Sequence, residues 1–154
     1  MSQSKYNIVY DSIIPTDLVG LFSLYQSVGW TNYVNYPDKL MTALQNSTYV
    51  ISSYHEGCLV ELIRGMSDDV SLHFIQDILV RSTYQKNRIG RTLMKKALRL
   101  YPNIQKHLLL TDDERYQNIF YKSLSFKNLD LIQPKLNAYI QLKDDKILNK
   151  EAIP

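Results

Sequence analysis

One segment limits the architecture more than any other. Phe74 to Val80 is mostly apolar, as a central strand should be. A short loop follows it and holds Gln85-Lys86-Asn87-Arg88. The next residues, Ile89, Leu93, Ala97 and Leu100, repeat at helical spacing and form one apolar stripe. Such a strand needs neighbours on both sides, and such a helix needs a sheet to cover. The chain must therefore build a mixed α/β layer structure around this crossover.

The flanking sequence agrees. Tyr6 to Tyr10 reads as a first strand. Asp17 to Ser27 reads as a helix with Thr16 as its N-cap, ended at Gly29, and Pro37 to Gln45 as a second helix. The stretch from Trp30 to Tyr36 is aromatic and irregular. Tyr49–Tyr54 and Cys58–Arg64, around the turn His55-Glu56-Gly57, read as a hairpin. Val70 to Val80 is the longest strand candidate. A helix over Ile89–Tyr101, a strand over His107–Leu110 and a helix from Asp112-Asp113-Glu114 through Tyr121 follow. Phe126–Leu131 and Asn137–Leu142 are expected to be two closing strands. With 154 residues and no internal repeat, the expected organisation is one domain over 1–142 and a charged tail over 143–154.

Composition excludes several classes. Cys58 is the single cysteine, so neither a disulfide framework nor a thiolate zinc ribbon is available; the three histidines are isolated, and no metal site is expected. Cys58 itself reads as a small buried apolar residue. Lys+Arg 18 against Asp+Glu 15 leaves only +3, too little for a dedicated nucleic-acid binder. The basic helix face Arg88, Arg91, Lys95, Arg99 is the one argument for such a role, and Asp112-Asp113-Glu114 opposes it. No apolar run approaches the ~18 residues of a membrane span. The N-terminus lacks the apolar core of a signal peptide, so a soluble cytoplasmic protein is expected.

The chemistry points to the loop after the strand. A helix N-terminus presents unpaired N–H groups and favours an anion. Lys86, Arg88 and Arg91 add charge, and Gly90 permits close approach. The expectation is a phosphate or pyrophosphate cradle. The glycine spacing fits neither the Walker nor the Rossmann loop.

Gln85-Lys86-Asn87-Arg88-Ile89-Gly90 after Val80 resembles the acetyl-CoA loop of the GCN5-related N-acetyltransferases (GNAT), whose pattern is Q/R-x-x-G-x-G/A. Arg88 replaces the first glycine, which a helical backbone would tolerate because it needs no positive φ. Tyr116 to Phe126 resembles the family's F-Y-x-x-L-G-F segment, with Ser125 in place of its glycine. The resemblance spans about Tyr6 to Leu142.

What the resemblance implies is an acyl-CoA N-acyltransferase fold with a central mixed sheet, a splayed strand pair and helices on both faces. Acetyl-CoA would be the acyl donor. Its pantetheine arm would lie along Ile78, Leu79 and Val80, its pyrophosphate on the backbone N–H groups of Lys86, Asn87, Arg88, Ile89, Gly90 and Arg91, and Gln85, Asn118 and Tyr121 would also contact it. A neutral amine attacks the thioester directly, so three roles follow. A base must deprotonate an ammonium of pKa near ~10.4; Asp77 is the candidate and Glu61 the weaker one. A strand N–H, such as that of Leu79, would stabilise the oxyanion. Tyr121 would protonate the departing sulfur. Trp30, Tyr33 and Tyr36 would border a small-molecule amine acceptor, since aromatic faces suit an apolar or cationic body. A homodimer is also expected from the family. The alternative is a non-catalytic acyl-CoA-binding or sensing module of the same fold.

Overall fold

A computed structural model describes residues 5–143. Five strands form one sheet in the order β1-β2-β3-β4-β5. These are β1 (Ile8–Asp11), β2 (Tyr49–His55), β3 (Cys58–Ser67), β4 (His73–Val80) and β5 (His107–Leu109). The first four pair antiparallel in succession, and β5 joins β4 in parallel after a helical crossover. The helices are α1 (Leu18–Ser27), α2 (Thr31–Asn35), α3 (Pro37–Gln45), α4 (Ile89–Arg99) and α5 (Arg115–Ser123).

Two cores lie on opposite faces of the sheet. Leu21, Leu24 and Tyr25 of α1 and Leu40 and Leu44 of α3 pack on Val50, Leu59, Leu62 and Leu79. Leu93, Met94 and Ala97 of α4, with Tyr121 of α5, pack on Ile51, Ile63 and Ile75. The apolar stripe read from Ile89 onward is therefore the buried face of α4, except that Leu100 falls just past the helix and is exposed.

Several boundaries differ from the sequence reading, each for a local reason. Asp17, not Thr16, caps α1, because its carboxylate accepts from the N–H of Gly20 at 3.1 Å. The aromatic stretch contains α2. The segment 70–72 is spent in a turn, where the Asp68 carboxylate accepts from the N–H groups of Val70, Ser71 and Leu72, so β4 begins at His73. Cys58 is exposed at the hairpin turn rather than buried. His73 and His107 sit side by side on β4 and β5, their Nδ1 atoms 2.7 Å apart. Neither closing strand forms among the described residues: Leu129–Leu131 is a 3-10 turn capped by Asn128, and Asn137–Leu142 has no regular structure. The charged tail lies outside the described residues from position 144 onward.

Candidate active site

The pairing of β4 with β5 covers only His73–Ile75 against His107–Leu109. Beyond Ile75 the two strands part. The register of β4 on β3 shifts at the same point, where Arg64 faces Asp77 but Gly65 faces Ile75, leaving Gln76 as the extra residue of a bulge. One extra residue reverses every side chain after it. Ile75 accordingly belongs to the α4-side core, whereas Leu79 belongs to the α1-side core.

The bulge also reverses the backbone. The Arg81 N–H donates to the Val60 carbonyl on β3 at 2.8 Å. Alternate residues of a strand point their N–H groups the same way, so Leu79's also faces β3. This corrects the expectation that Leu79 supplies the oxyanion donor. The N–H groups of Ile78 and Val80 face the side that β5 has vacated.

A cavity of about 1050 Å³ fills the gap between the parted strands. Ile78, Leu79 and Val80 form one wall and Leu109, Leu110 and Thr111 another. The whole loop and first helical turn from Gln85 to Arg91 line one end, Tyr116, Phe120 and Tyr121 of α5 another side, and Trp30 closes the far end. Among the described residues, no group of three or more His, Cys, Asp or Glu could hold a metal.

The loop is held by its own side chains. The Gln85 side chain donates to the Val80 carbonyl at 3.1 Å, and Asn87 donates to the carbonyls of Tyr84 and Gln85. Thr92 is the first residue whose N–H turns back into α4, to the Arg88 carbonyl, so the amides of Ile89, Gly90 and Arg91 are left for a ligand. Lys86 and Arg88 are exposed at this rim. Arg88 is not helical: its φ is +62°, and that of Lys86 is +65°, so the loop keeps the backbone a glycine would take. At Gly90 an added Cβ would lie 3.1 Å from Val80 Cγ2, so its lack of side chain also serves helix-to-strand packing. Arg91 reaches across to α5, donating to Ser123 Oγ at 2.7 Å.

Tyr121 lines the cavity. Its ring packs edge-on against Phe120 and Phe126, and burial, reinforced by Tyr116, pushes its hydroxyl up to about 12. The phenol is thus neutral at physiological pH and able to donate. Asn118 is not on this cavity; it lines a second, smaller hollow and donates to Asp113 at 3.2 Å.

Asp77 is placed differently from the sequence reading. It is buried on the α1 side and does not line the cavity. Its Oδ2 accepts from Arg64 Nε and from the Tyr25 hydroxyl. Burial pushes its carboxyl up, against the pull of the Arg64 guanidinium. For Arg64, burial lowers the pKa, but Asp77 outweighs it and the net shift is upward. Arg64 keeps its proton, and its guanidinium and the Asp77 carboxyl are occupied with each other. Tyr33 belongs to the same network, its hydroxyl accepting from Arg64 Nη2 at 3.0 Å, and Tyr36 is exposed with Lys39 over its ring. Of the three aromatic candidates only Trp30 reaches the cavity. Glu61 is fully buried on the α4 face, bound by Ser53. Arg64 was the residue the sequence reading missed. The signal was a cation directly after Leu62-Ile63 within the strand β3, across the register from Asp77.

Comparison with known proteins agrees with this geometry. Residues 18–126 match the model of the acetyltransferase (GNAT) family. A histone acetyltransferase of Glycine max is 31% identical over 134 residues, covering 78% of this chain and 56% of that protein. The chain thus spans little more than half of that curated relative. The structure of a GNAT family acetyltransferase from Streptococcus pneumoniae TIGR4 shares 30% identity and superposes with a TM-score of 0.76, covering 88% of this chain and 98% of that one. An aminoglycoside acetyltransferase from an uncultured soil metagenomic sample has the same fold at 18% identity, with a TM-score of 0.60 over 88% of this chain and 97% of that one. The family model covers more than half of the described chain, and the chain belongs to the GNAT family.

Proposed function

We propose that this protein transfers an acetyl group from acetyl-CoA to the amine of a small-molecule acceptor by direct attack on the thioester. The observation that carries this reading is the single cavity joining the free amides of α4 to Tyr121 and Trp30. The amides of Ile89, Gly90 and Arg91, with Lys86 and Arg88 at the rim, take the pyrophosphate. The freed edge of β4 takes the pantetheine arm, and the N–H of Ile78 or Val80 is positioned to stabilise an oxyanion. Tyr121 donates to the departing sulfur. A phenol near 12 is a weaker acid than a thiol, so its part is hydrogen-bond donation in the transition state, with net protonation completed from the amine's own proton. Asp77 is committed to Arg64 and Tyr25. The carboxylates on the cavity wall are Asp112 and Glu114, and they are the base candidates.

Trp30 offers one aromatic face, suited to an acceptor with an apolar or cationic body. The curated relative favours a second reading, in which the amine belongs to a protein. A panel of aminoglycosides, polyamines and lysine-bearing peptides, read by CoA release, separates the two; turnover confined to peptides overturns the small-molecule reading.

Calorimetry with acetyl-CoA comes first, on the wild type and on Gly90→Glu, with thermal unfolding of both because Gly90 also packs on Val80. Micromolar binding abolished in a folded variant supports the cradle. Tyr121→Phe should bind acetyl-CoA normally and lose about 10²–10³-fold in kcat. Binding with no turnover of any amine by the wild type would favour the non-catalytic acyl-CoA module.

A further inference from the structure

The hydrogen bonds of the loop 85–88 tie it to the end of β4 and to Tyr84, and they need a fixed point outside the loop. Lys86 and Arg88 both carry side chains, and both have positive φ, +65° and +62°. Two left-handed residues within three positions persist only where both ends of the segment are held. The lower end is held by α4, where Ile89 is buried and the Thr92 N–H returns to the Arg88 carbonyl. The upper end is the 3-10 turn Ser82–Tyr84. Of the residues from 82 to 86, only Tyr84 is half-buried, and the others are exposed. Its carbonyl accepts from the Asn87 side chain at 3.2 Å, so the loop hangs from this residue.

What holds Tyr84 comes from a distant part of the chain. Its hydroxyl shares a hydrogen bond with His55 Nδ1 at 2.8 Å. The two rings meet edge-on with centroids 5.5 Å apart, and the Tyr6 ring closes the triangle at 4.9 Å from His55 and 4.8 Å from Tyr84. His55 is the last residue of β2 and pairs with Cys58, the first of β3. Between them lies the two-residue turn Glu56-Gly57, both residues with positive φ, the tight connection that twisted strands favour. The same hairpin end grips the start of the 3-10 turn. The Arg81 guanidinium donates to the Leu59 carbonyl from Nε at 3.1 Å and from Nη2 at 3.0 Å. One hairpin end therefore fixes both ends of the turn from which the cofactor loop is hung. Tyr84 lines the cavity and His55 does not.

We infer that His55 is a positioning residue for the cofactor loop. Through Tyr84 it keeps the loop in the shape that aims the amides of Ile89, Gly90 and Arg91 at the cavity before a ligand arrives. This rests on the reading of those amides as a pyrophosphate cradle. A loop already in its bound shape loses little freedom on binding, and a loop cut from its anchor must be ordered by the ligand. Removing the anchor therefore weakens affinity in a protein that is still folded. An aromatic cluster that only stabilises the fold does the opposite: its loss lowers the unfolding temperature and leaves the affinity of the folded protein unchanged.

Calorimetry with acetyl-CoA on the full chain, with thermal unfolding beside it, separates the two. Wild type and Gly90→Glu come first. If the wild type does not bind, or Gly90→Glu binds equally well, the cradle reading fails and the positioning role fails with it. With the cradle established, Tyr84→Phe keeps the ring contacts and loses one oxygen, so it should fold and bind about 10-fold more weakly, the worth of one hydrogen bond. His55→Ala should lose at least as much, although His55 lies outside the cavity. The double variant should be no weaker than His55→Ala, because both changes remove the same link. His55→Asn should recover most of the affinity, since its amide nitrogen stands as many bonds from the backbone as Nδ1 does. Wild-type affinity in both Tyr84→Phe and His55→Ala overturns the proposal. So does a loss in Tyr84→Phe that His55→Ala does not share, which makes the hydroxyl a direct ligand contact. Additive losses in the double variant, or a His55→Asn as weak as His55→Ala, overturn it as well.

Discussion

The two faces of the sheet each bury a carboxylate, and they treat it in opposite ways. On the α1 face, Asp77 is paired with Arg64 and bonded by Tyr25, while Arg64 also donates to Ser47 and Tyr33. On the α4 face, Glu61 has only the Ser53 hydroxyl, and its Oε1 is buried without a partner. The α4 face also carries the left-handed residues Lys86 and Arg88. Each face leaves one carboxylate oxygen buried without a partner, Asp77 Oδ1 and Glu61 Oε1, so the difference between the two is the cation: Arg64 stands against Asp77, and Glu61 has only a hydroxyl. The left-handed backbone of the candidate cofactor loop is a further local cost, of the kind that a ligand or a tightly packed neighbour maintains against relaxation.

The sharpest way to break the comparison is to make the α1 face resemble the α4 face. Arg64→Ala leaves Asp77 buried with only Tyr25. Removing one partner of a buried pair costs about 3–5 kcal/mol, since the remaining charge is uncompensated. Urea unfolding should register this as a large fall in midpoint at unchanged slope. The double change Arg64→Met with Asp77→Leu should recover most of the loss, because an apolar pair of similar volume needs no compensation. A single variant as stable as the wild type would mean that solvent reaches Asp77.

The next change makes the α4 face resemble its opposite. Burial pushes the Glu61 carboxyl up from 4.5 to about 7, the Ser53 hydrogen bond only partly opposing it. The folded state therefore holds a proton that the unfolded chain has released, and stability falls as pH rises from 4.5 through 7. Glu61→Gln removes that fall. Its stability gain should grow across the window to about 3 kcal/mol above pH 7. His73 works in the other direction: burial, then His107, lowers it to about 4, so its contribution is complete above 6.5 and is lost as pH falls toward 4. In the wild type the two slopes oppose each other. In Glu61→Gln the His73 slope stands alone, so the variant's stability should fall as pH drops from 6.5 toward 4, where that of the wild type stays nearly level. Chemical unfolding at several pH values reads both effects.

How much of this was legible in the sequence differs between the same two faces. The crossover from β4 through the loop into α4 could be read directly, because an apolar run, a basic loop and a 3.6-residue stripe are local signals. The roles of Asp77 and Leu79 could not. Both depend on the bulge at Gln76, which reverses side chains and N–H groups together, and no residue in Phe74–Val80 announces it. Tyr33 sits about one helical turn from Trp30 and Tyr36 six residues from it, just past α2, yet they meet Arg64 and solvent. The C-terminal strand reading failed for a related reason. Composition indicates what a segment prefers, and a strand needs an edge to pair with, which Asn137–Leu142 does not meet among the described residues.

The smallest effect tests the left-handed residues. The family pattern places glycine where this chain has Arg88 and Ser125, and the structure gives those positions φ of +62° and +69°. The backbone has kept a glycine conformation after the residue changed. At Ser125 the reason is visible: the N–H groups of Ser125 and Phe126 return to the carbonyls of Lys122 and Tyr121, closing the end of α5 in the left-handed cap that glycine favours. At Arg88 the left-handed turn swings the loop into α4 and leaves the next three amides facing the cavity. A side chain in this region costs roughly 1–2 kcal/mol, against which glycine gives back ~0.5–1 kcal/mol through the freedom of the unfolded chain. Arg88→Gly and Ser125→Gly should therefore each stabilise by at most about 1 kcal/mol, and additively, since neither side chain bonds the other's element. They should part in binding. Ser125→Gly should leave acetyl-CoA affinity unchanged. Arg88→Gly removes a rim charge while keeping the cradle's shape, so its affinity should fall modestly and lose part of its dependence on salt. A destabilised Arg88→Gly would mean that the arginine side chain, rather than the backbone turn, holds the loop.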